Sequence, residues 1–208
     1  MSERSLREQR RERRRELGRD QILDVAEGVF ARKGFHDASL REIAELAEYS
    51  VGAVYGFFSG KDELYREIFL RRATVFLTGM KEVLSSPHPP QRQLLELAEW
   101  QAGFFRAHPG YGRLVLRSGS IASAPTGAPA DGAILANFRQ AQEMQAELFR
   151  RGQRQGVLKD GDPQLLARMF SGLVSAFQAS ELAEEESGPL PLATLLETVG
   201  AAFVTTGS

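Results

Sequence analysis

Apolar residues recur along almost the whole chain three and four positions apart, and few segments alternate as strands do. Ile22, Val25, Ala26, Val29 and Phe30 form one stripe, predicting a helix over about 20–33 with Gly34 as its stop. "SLRE" at 39–42 reads as a capping box, in which Ser39 accepts from the Glu42 amide and Glu42 reaches back. Leu40, Ile43, Ala44 and Ala47 line the second helix. Ser50 caps a third, with Val51, Val54 and Phe58 inward or flanking. "SGKDEL" opens a fourth, running from near Ser59 to about Leu84. Beyond the break "SSPHPP", helices are predicted over about 90–107, 110–117, 133–154 and 163–185, and from "SGPLP" to about 205. The stretch 118–132, rich in Gly, Ala, Ser and Pro, reads as a mobile loop. The expectation is an all-α chain of about nine helices, a compact N-terminal trio followed by a larger bundle.

Bulk properties narrow the classes. The chain has 208 residues and no cysteine, so disulfides and thiolate metal sites are excluded. No apolar run approaches the ~20 residues of a membrane span, and the charged N-terminus lacks the apolar core of a secretory signal, so no membrane partner and a cytoplasmic setting are expected. His36, His88 and His108 are scattered without ligand spacing, which predicts no metal and no cofactor. No nucleophile–base arrangement or phosphate-cradling glycine loop is visible, so an enzyme is not expected. Net charge is −1, but residues 1–19 carry eight arginines against four glutamates, a local +4 suited to phosphate contacts or to a solvated helix.

The segment "SVGAVYGFF" at 50–58 is unusual. Glycine inside a helix costs about 1 kcal/mol against alanine, yet Gly52 and Gly56 both fall here. Two short helices joined by the tight turn "EYS", with a first helix across them, have helix-turn-helix geometry. Gly52, Ala53 and Gly56 would then leave the outer face of the second member bare enough to approach base edges closely. Val51 and Ala53 are placed to meet thymine methyls, and Arg41 to read guanine with its fork. Ser39 sits where helix amides attract a phosphate, and Lys61, Ser50 and Tyr55 flank the same surface. Competing readings stay open: Arg41 pairs with Glu45, and Val51 or Phe57 merely caps the core.

"ASLREIAELAEYSVGAVYGFFSGKDELYREIF" resembles the DNA-binding segment of the TetR (TetR/AcrR) family of bacterial transcription regulators. The matching positions are Ser39, Ile43-Ala44, Ser50, Val54-Tyr55, Phe58 and Lys61-Asp62-Glu63-Leu64, within about residues 20–70. The resemblance implies a flexible arginine-rich arm at 1–18, a helix-turn-helix domain at 19–66 and a ligand-binding and dimerisation domain at 67–208. It assigns phosphate contacts to Tyr55 and Lys61. Glu48 departs from the pattern, standing where the family often has glycine.

The family's C-terminal half implies a small-molecule effector and a homodimer on a pseudo-palindromic operator of double-stranded DNA. The helices at 163–185 and at the C-terminus are apolar on two sides, so Phe170, Leu173, Val174, Phe177, Leu196, Val199 and Phe203 are candidates for the subunit interface. Trp100, Phe104, Phe105, His108, Tyr111, Leu114, Arg117, Phe138 and Phe170 are candidates for a mostly apolar pocket, with Gln140 as a further polar group. The expected function is a repressor released by a hydrophobic or amphipathic ligand. The alternatives are a dimeric DNA binder whose bundle takes no small molecule, or a helical enzyme.

Overall fold

A computed structural model describes residues 3–117, 132–183 and 190–205. Except for Gly132, the expected loop at 118–132 lies outside the described residues, as does most of "SGPLP". Among the described residues there are nine helices: α1 (Glu3–Asp37), α2 (Leu40–Leu46), α3 (Val51–Phe57), α4 (Lys61–Leu84), α5 (Pro90–Ala107), α6 (Pro109–Arg117), α7 (Gly132–Arg154), α8 (Pro163–Ala183) and α9 (Leu192–Phe203). They divide into two compact units, Met1–Phe69 and Leu70–Ser208, with the boundary inside α4.

In the first unit, Ile22, Ala26, Val29 and Phe30 of α1 are buried with Ile43, Val54 and Leu64. Helix α1 begins at Glu3, not near residue 20. Its first turns bury no apolar stripe, and residues 6–17 are exposed. Arginine, glutamate and leucine are strong helix formers, and Glu12 and Glu16 stand three residues before Arg15 and Arg19, a pairing that supports a solvated helix. Gly34 interrupts α1 with φ 80 and ψ 174, a positive-φ backbone conformation that is essentially confined to glycine.

In the second unit, α5, α7, α8 and α9 pack as a bundle, with α6 against α5 and α8. Phe149, Phe170 and Phe203 meet in its core, with ring centroids 5.3 Å apart for Phe149–Phe203 and 6.3 Å for Phe170–Phe203. The turn after α7 is pinned to the chain end: the Lys159 amide donates to the Phe203 carbonyl at 2.8 Å and Thr205 to Val157 at 3.2 Å. Trp100 of α5 lies directly on Gly79 of α4, where any Cβ would overlap the indole.

Candidate functional site

Hydrogen bonds at each end build the helix-turn-helix. The Ser39 hydroxyl accepts from the Glu42 amide and the Ser50 hydroxyl from the Ala53 amide, both at 3.1 Å. The reciprocal half of the expected capping box does not form, because the Glu42 carboxylate takes Lys33 Nζ at 2.8 Å. Helix α2 stops in a Schellman turn: Tyr49 N donates to Ala44 O at 2.9 Å and Glu48 N to Glu45 O at 3.2 Å. Glu48 occupies the left-handed position of that turn, with φ 61. The glycine-like turn of the family resemblance is thus kept, with a glutamate strained into it.

Two side chains of α1 hold the ends of the motif. Gln21 Nε2 donates to the Ala47 carbonyl at 3.3 Å, and Arg19 Nη1 to the Phe57 carbonyl at 3.4 Å. Arg19 also pairs with Glu67 at 3.0 Å and stacks over the Phe58 ring. Although counted within the basic N-terminal run, Arg19 fastens the domain core. Gly18 lets Tyr49 and Phe57 close on α1; a Cβ there would stand 2.8 Å from the Tyr49 hydroxyl.

This clamping leaves one face of α3 outside. Val54 is 1% exposed, Tyr55 56% and Val51 36%. Ser50, Gly52 and Gly56 are exposed, and Ala53 is half-buried. A Cβ added at Gly56 meets nothing within 4 Å, and one at Gly52 meets only the Ser50 hydroxyl, at 4.0 Å. Ser39 is exposed on the N-terminal side of α2. Phe57 is half-buried, edge-on to Tyr49 with centroids 6.0 Å apart, so its ring supports α3 from behind. Arg41 is exposed and bonded to Glu45 at 2.9 Å, and that carboxylate holds the guanidinium even further above its ordinary pKa. Lys61 donates to the carbonyls of His36 and Ala38, both at 3.1 Å, and its ammonium lies 4.6 Å from the centre of the Phe35 ring. A lysine at the last carbonyls of a helix complements the dipole, a role the residue pattern did not reveal.

Residues 22–68 match the family model of the bacterial regulatory proteins of the tetR family. The first unit thus carries a tetR-family DNA-binding segment. Over 85 residues the chain is 32% identical to the transcriptional activator FasR of Mycolicibacterium smegmatis, covering 41% of this chain and 39% of that one. The chain spans between about a quarter and two fifths of the length of the relatives it first matches. The solved structure of the regulator FadR from Bacillus subtilis in complex with stearoyl-CoA has a TM-score of 0.70 at 18% identity, over 86% of this chain and 94% of that one. The structure of AibR in complex with isovaleryl coenzyme A and operator DNA has a TM-score of 0.73 at 19% identity, over 89% and 98% of the two chains. At such identities the likeness shows the shared fold.

In the second unit, the pocket candidates separate. Phe104, Phe105, Tyr111 and Leu114 are buried, and Trp100 is half-buried against Phe76 and Phe104. His108 ends α5 edge-on to Phe104, with centroids 4.7 Å apart. Arg117 and Gln140 are exposed, and Phe138 is half-buried. The interface candidates need a correction: Phe170, Val174, Val199 and Phe203 are at most 1% exposed within their own chain. They point down the inner side of α8 and α9, so only Leu173, Phe177 and Leu196 keep part of their surface. Sequence reading missed the buried amides Gln101, Gln145 and Gln178; their signal was a polar residue within an apolar stripe, as with Gln101 between Leu97 and Phe105. Among the described residues no cluster could hold a metal ion, and no helix is long and apolar enough to cross a membrane.

Proposed function

We propose that this protein is a homodimeric, ligand-responsive transcription regulator that represses by binding a pseudo-palindromic operator and is released by a small hydrophobic or amphipathic molecule. The observation that carries the reading is the outer face of α3, bare at Gly52 and Gly56 and flanked by exposed Val51 and Tyr55. A backbone unshielded by side chains can approach base edges, and apolar contact with thymine methyls supplies part of the readout. Ser39, Ser50, Tyr55 and Lys61 supply phosphate contacts around it, and Arg41 the polar base contact once it leaves Glu45. Such a surface, poor in polar readers, takes much of its specificity from DNA shape.

Dimerisation is assigned to α8 and α9. Leu165 is 49% and Met169 53% exposed, on the same side of α8 as Leu173 and Phe177. That apolar side requires a partner, and a second copy presenting the same pair of helices forms a two-fold four-helix contact. Two recognition helices then meet successive major grooves about 34–36 Å apart. The FadR and AibR structures support an effector, because each holds a coenzyme A thioester. A coupling of ~1–3 kcal/mol, transmitted along α4, changes operator affinity roughly 5- to 150-fold. The protein is read as cytoplasmic and non-enzymatic.

The test begins with DNA fragments selected from random genomic sequence and measures affinity against salt. Lys61→Ala is expected to weaken binding across sequences and reduce the log–log salt slope by about 1. Tyr55→Ala is expected to weaken binding with a smaller change of slope. Unchanged affinity and slope in both variants refute the phosphate assignment. Thermal melts in parallel separate lost DNA contact from loss of the Lys61 bonds to α1.

A further inference from the structure

Four polar side chains in the bundle are buried without the partners that burial ordinarily demands. Gln101 and Gln145 are 0% exposed, Gln178 4% and Ser175 6%. Neither end of the Gln101 amide has a hydrogen-bond partner, nor does either end of Gln178, the nitrogen of Gln145 or the Ser175 hydroxyl. The large majority of buried side-chain polar atoms are bonded, so such a group asks for an explanation. Because both ends of Gln101 and Gln178 are unpartnered, it does not matter which end is oxygen. Gln93, in the same bundle, shows the contrast: its nitrogen donates to the carbonyls of Leu84 and Ser86, and its oxygen accepts from Arg151 at 2.7 Å. That amide staples a turn; the other three staple nothing completely.

The unpartnered groups lie on helices that pack against one another, α5 and α7 each against α8. Ser171, Ser175 and Gln178 lie four and three residues apart, on one face of α8. From α7, Gln145 meets that face by accepting from Ser171 Oγ at 2.7 Å, which leaves its NH2 unengaged. From α6, Gly112 removes the side chain that would collide with the Gln178 amide, and the Phe105 ring stands 3.7 Å from the same point. Gln101 precedes Phe105 by one turn of α5. Phe105 in turn stacks on Tyr111, with centroids 6.4 Å apart.

We propose that the amides of Gln101, Gln145 and Gln178, with Ser175, recognise an uncharged amide-like group, a carboxamide or lactam, buried inside the bundle. The proposal rests on the reading that the bundle takes a small effector, and names the chemistry of that effector's buried end. Glutamine amides offer both N–H donors and carbonyl acceptors, the complement of another amide. The fully buried polar side chains of this unit among the described residues are all Gln or Ser, with the half-buried Arg71 of α4 outside that set, which favours a neutral group over an ion. The flanking rings of Phe104, Phe105 and Tyr111 suit the ligand's apolar remainder.

The test uses the full-length protein with caprolactam as the neutral probe and cyclohexanecarboxylate as a charged probe of similar size, in calorimetry and thermal melts. Caprolactam at a hundred times its Kd is expected to raise Tm by roughly 5–10 °C. Gln101→Met and Gln178→Met are each expected to weaken caprolactam binding about tenfold or more while leaving the ligand-free Tm unchanged or raised. Gln93→Met, removing a satisfied amide, is expected to lower Tm and leave caprolactam binding intact. The proposal is overturned if caprolactam does not bind, if cyclohexanecarboxylate binds as well or better, or if the Gln101 and Gln178 variants bind caprolactam like wild type. Operator binding is read separately. Caprolactam that binds without releasing DNA preserves the site chemistry and removes the repressor reading; DNA release by a charged effector alone does the reverse.

Discussion

Replacing Glu48 by glycine should stabilise the DNA-binding unit, although Glu48 touches nothing that glycine would improve. Among the described residues it is the only non-glycine with positive φ, at 61°. An L-residue in this region costs roughly 1–2 kcal/mol, because its Cβ crowds the following carbonyl. Glycine removes that strain but loses about 0.5–1 kcal/mol more backbone entropy on folding. The net expectation for Glu48→Gly is a gain of about 0.5–1 kcal/mol. Glu48→Ala separates strain from charge, since it removes the carboxylate and keeps the Cβ. The glycine variant should therefore exceed the alanine variant by about 1 kcal/mol, or roughly 4–8 °C for a unit of this size. Urea unfolding of the full chain, followed by circular dichroism and by amide exchange across residues 43–54, measures both the midpoint and the local opening. An alanine variant as stable as the glycine variant refutes the strain argument. In duplex-DNA titrations both variants should bind more tightly than wild type, and more so at low salt, since each removes an acid from the proposed interface.

Three other perturbations probe separate parts of the molecule. Gly79→Val should drive Trp100 off α4, destabilising by about 1–3 kcal/mol and shifting emission of the protein's only tryptophan to the red; Gly103→Ala, with nothing within 4 Å, should do neither. The Ser59 amide, donating to Glu63 Oε2 at 2.6 Å, holds that carboxyl below its ordinary pKa, so its stabilisation is present above the unfolded value of about 4.3 and disappears as pH falls through the lower folded value. Glu63→Gln should thus melt below wild type at pH 7 and converge with it in acid, whereas a pH-independent gap refutes the linkage. The double variant Leu165→Asp and Met169→Asp should sediment as a monomer at micromolar concentration, and an unchanged dimer mass would move the interface elsewhere.

The helix-turn-helix was legible because its determinants are local. Ser39 and Ser50 sit at the helix starts their chemistry favours, and the apolar spacing of α2 and α3 marks their inner faces. The long N-terminal extension of α1 was hidden because its solvated turns bury no stripe, leaving arginine–glutamate pairing as the sole signal. Contacts distant in sequence were hidden as well. Nothing near Lys61 reveals that its ammonium caps carbonyls 23 and 25 residues away. Nothing near Phe57 reveals that Tyr49 lies edge-on to it. In α8 and α9 the apolar pattern did not show which residues face inward, so Phe170, Val174, Val199 and Phe203 were read as interface candidates, whereas all four are buried within their own chain. The amides of Gln101 and Gln178 escaped because glutamine on an apolar stripe reads as a flaw in the pattern.

On the proposed function, the two vacant Cβ positions on α3 also set how readily the protein can change its preference for DNA. Positions 52 and 56 border open space, so new side chains there disturb no packing, and most replacements for glycine strengthen a helix. Alteration of target choice is therefore uncoupled from folding at these two sites. A lineage, or a protein engineer, can rewrite the reading head there without rebuilding its support.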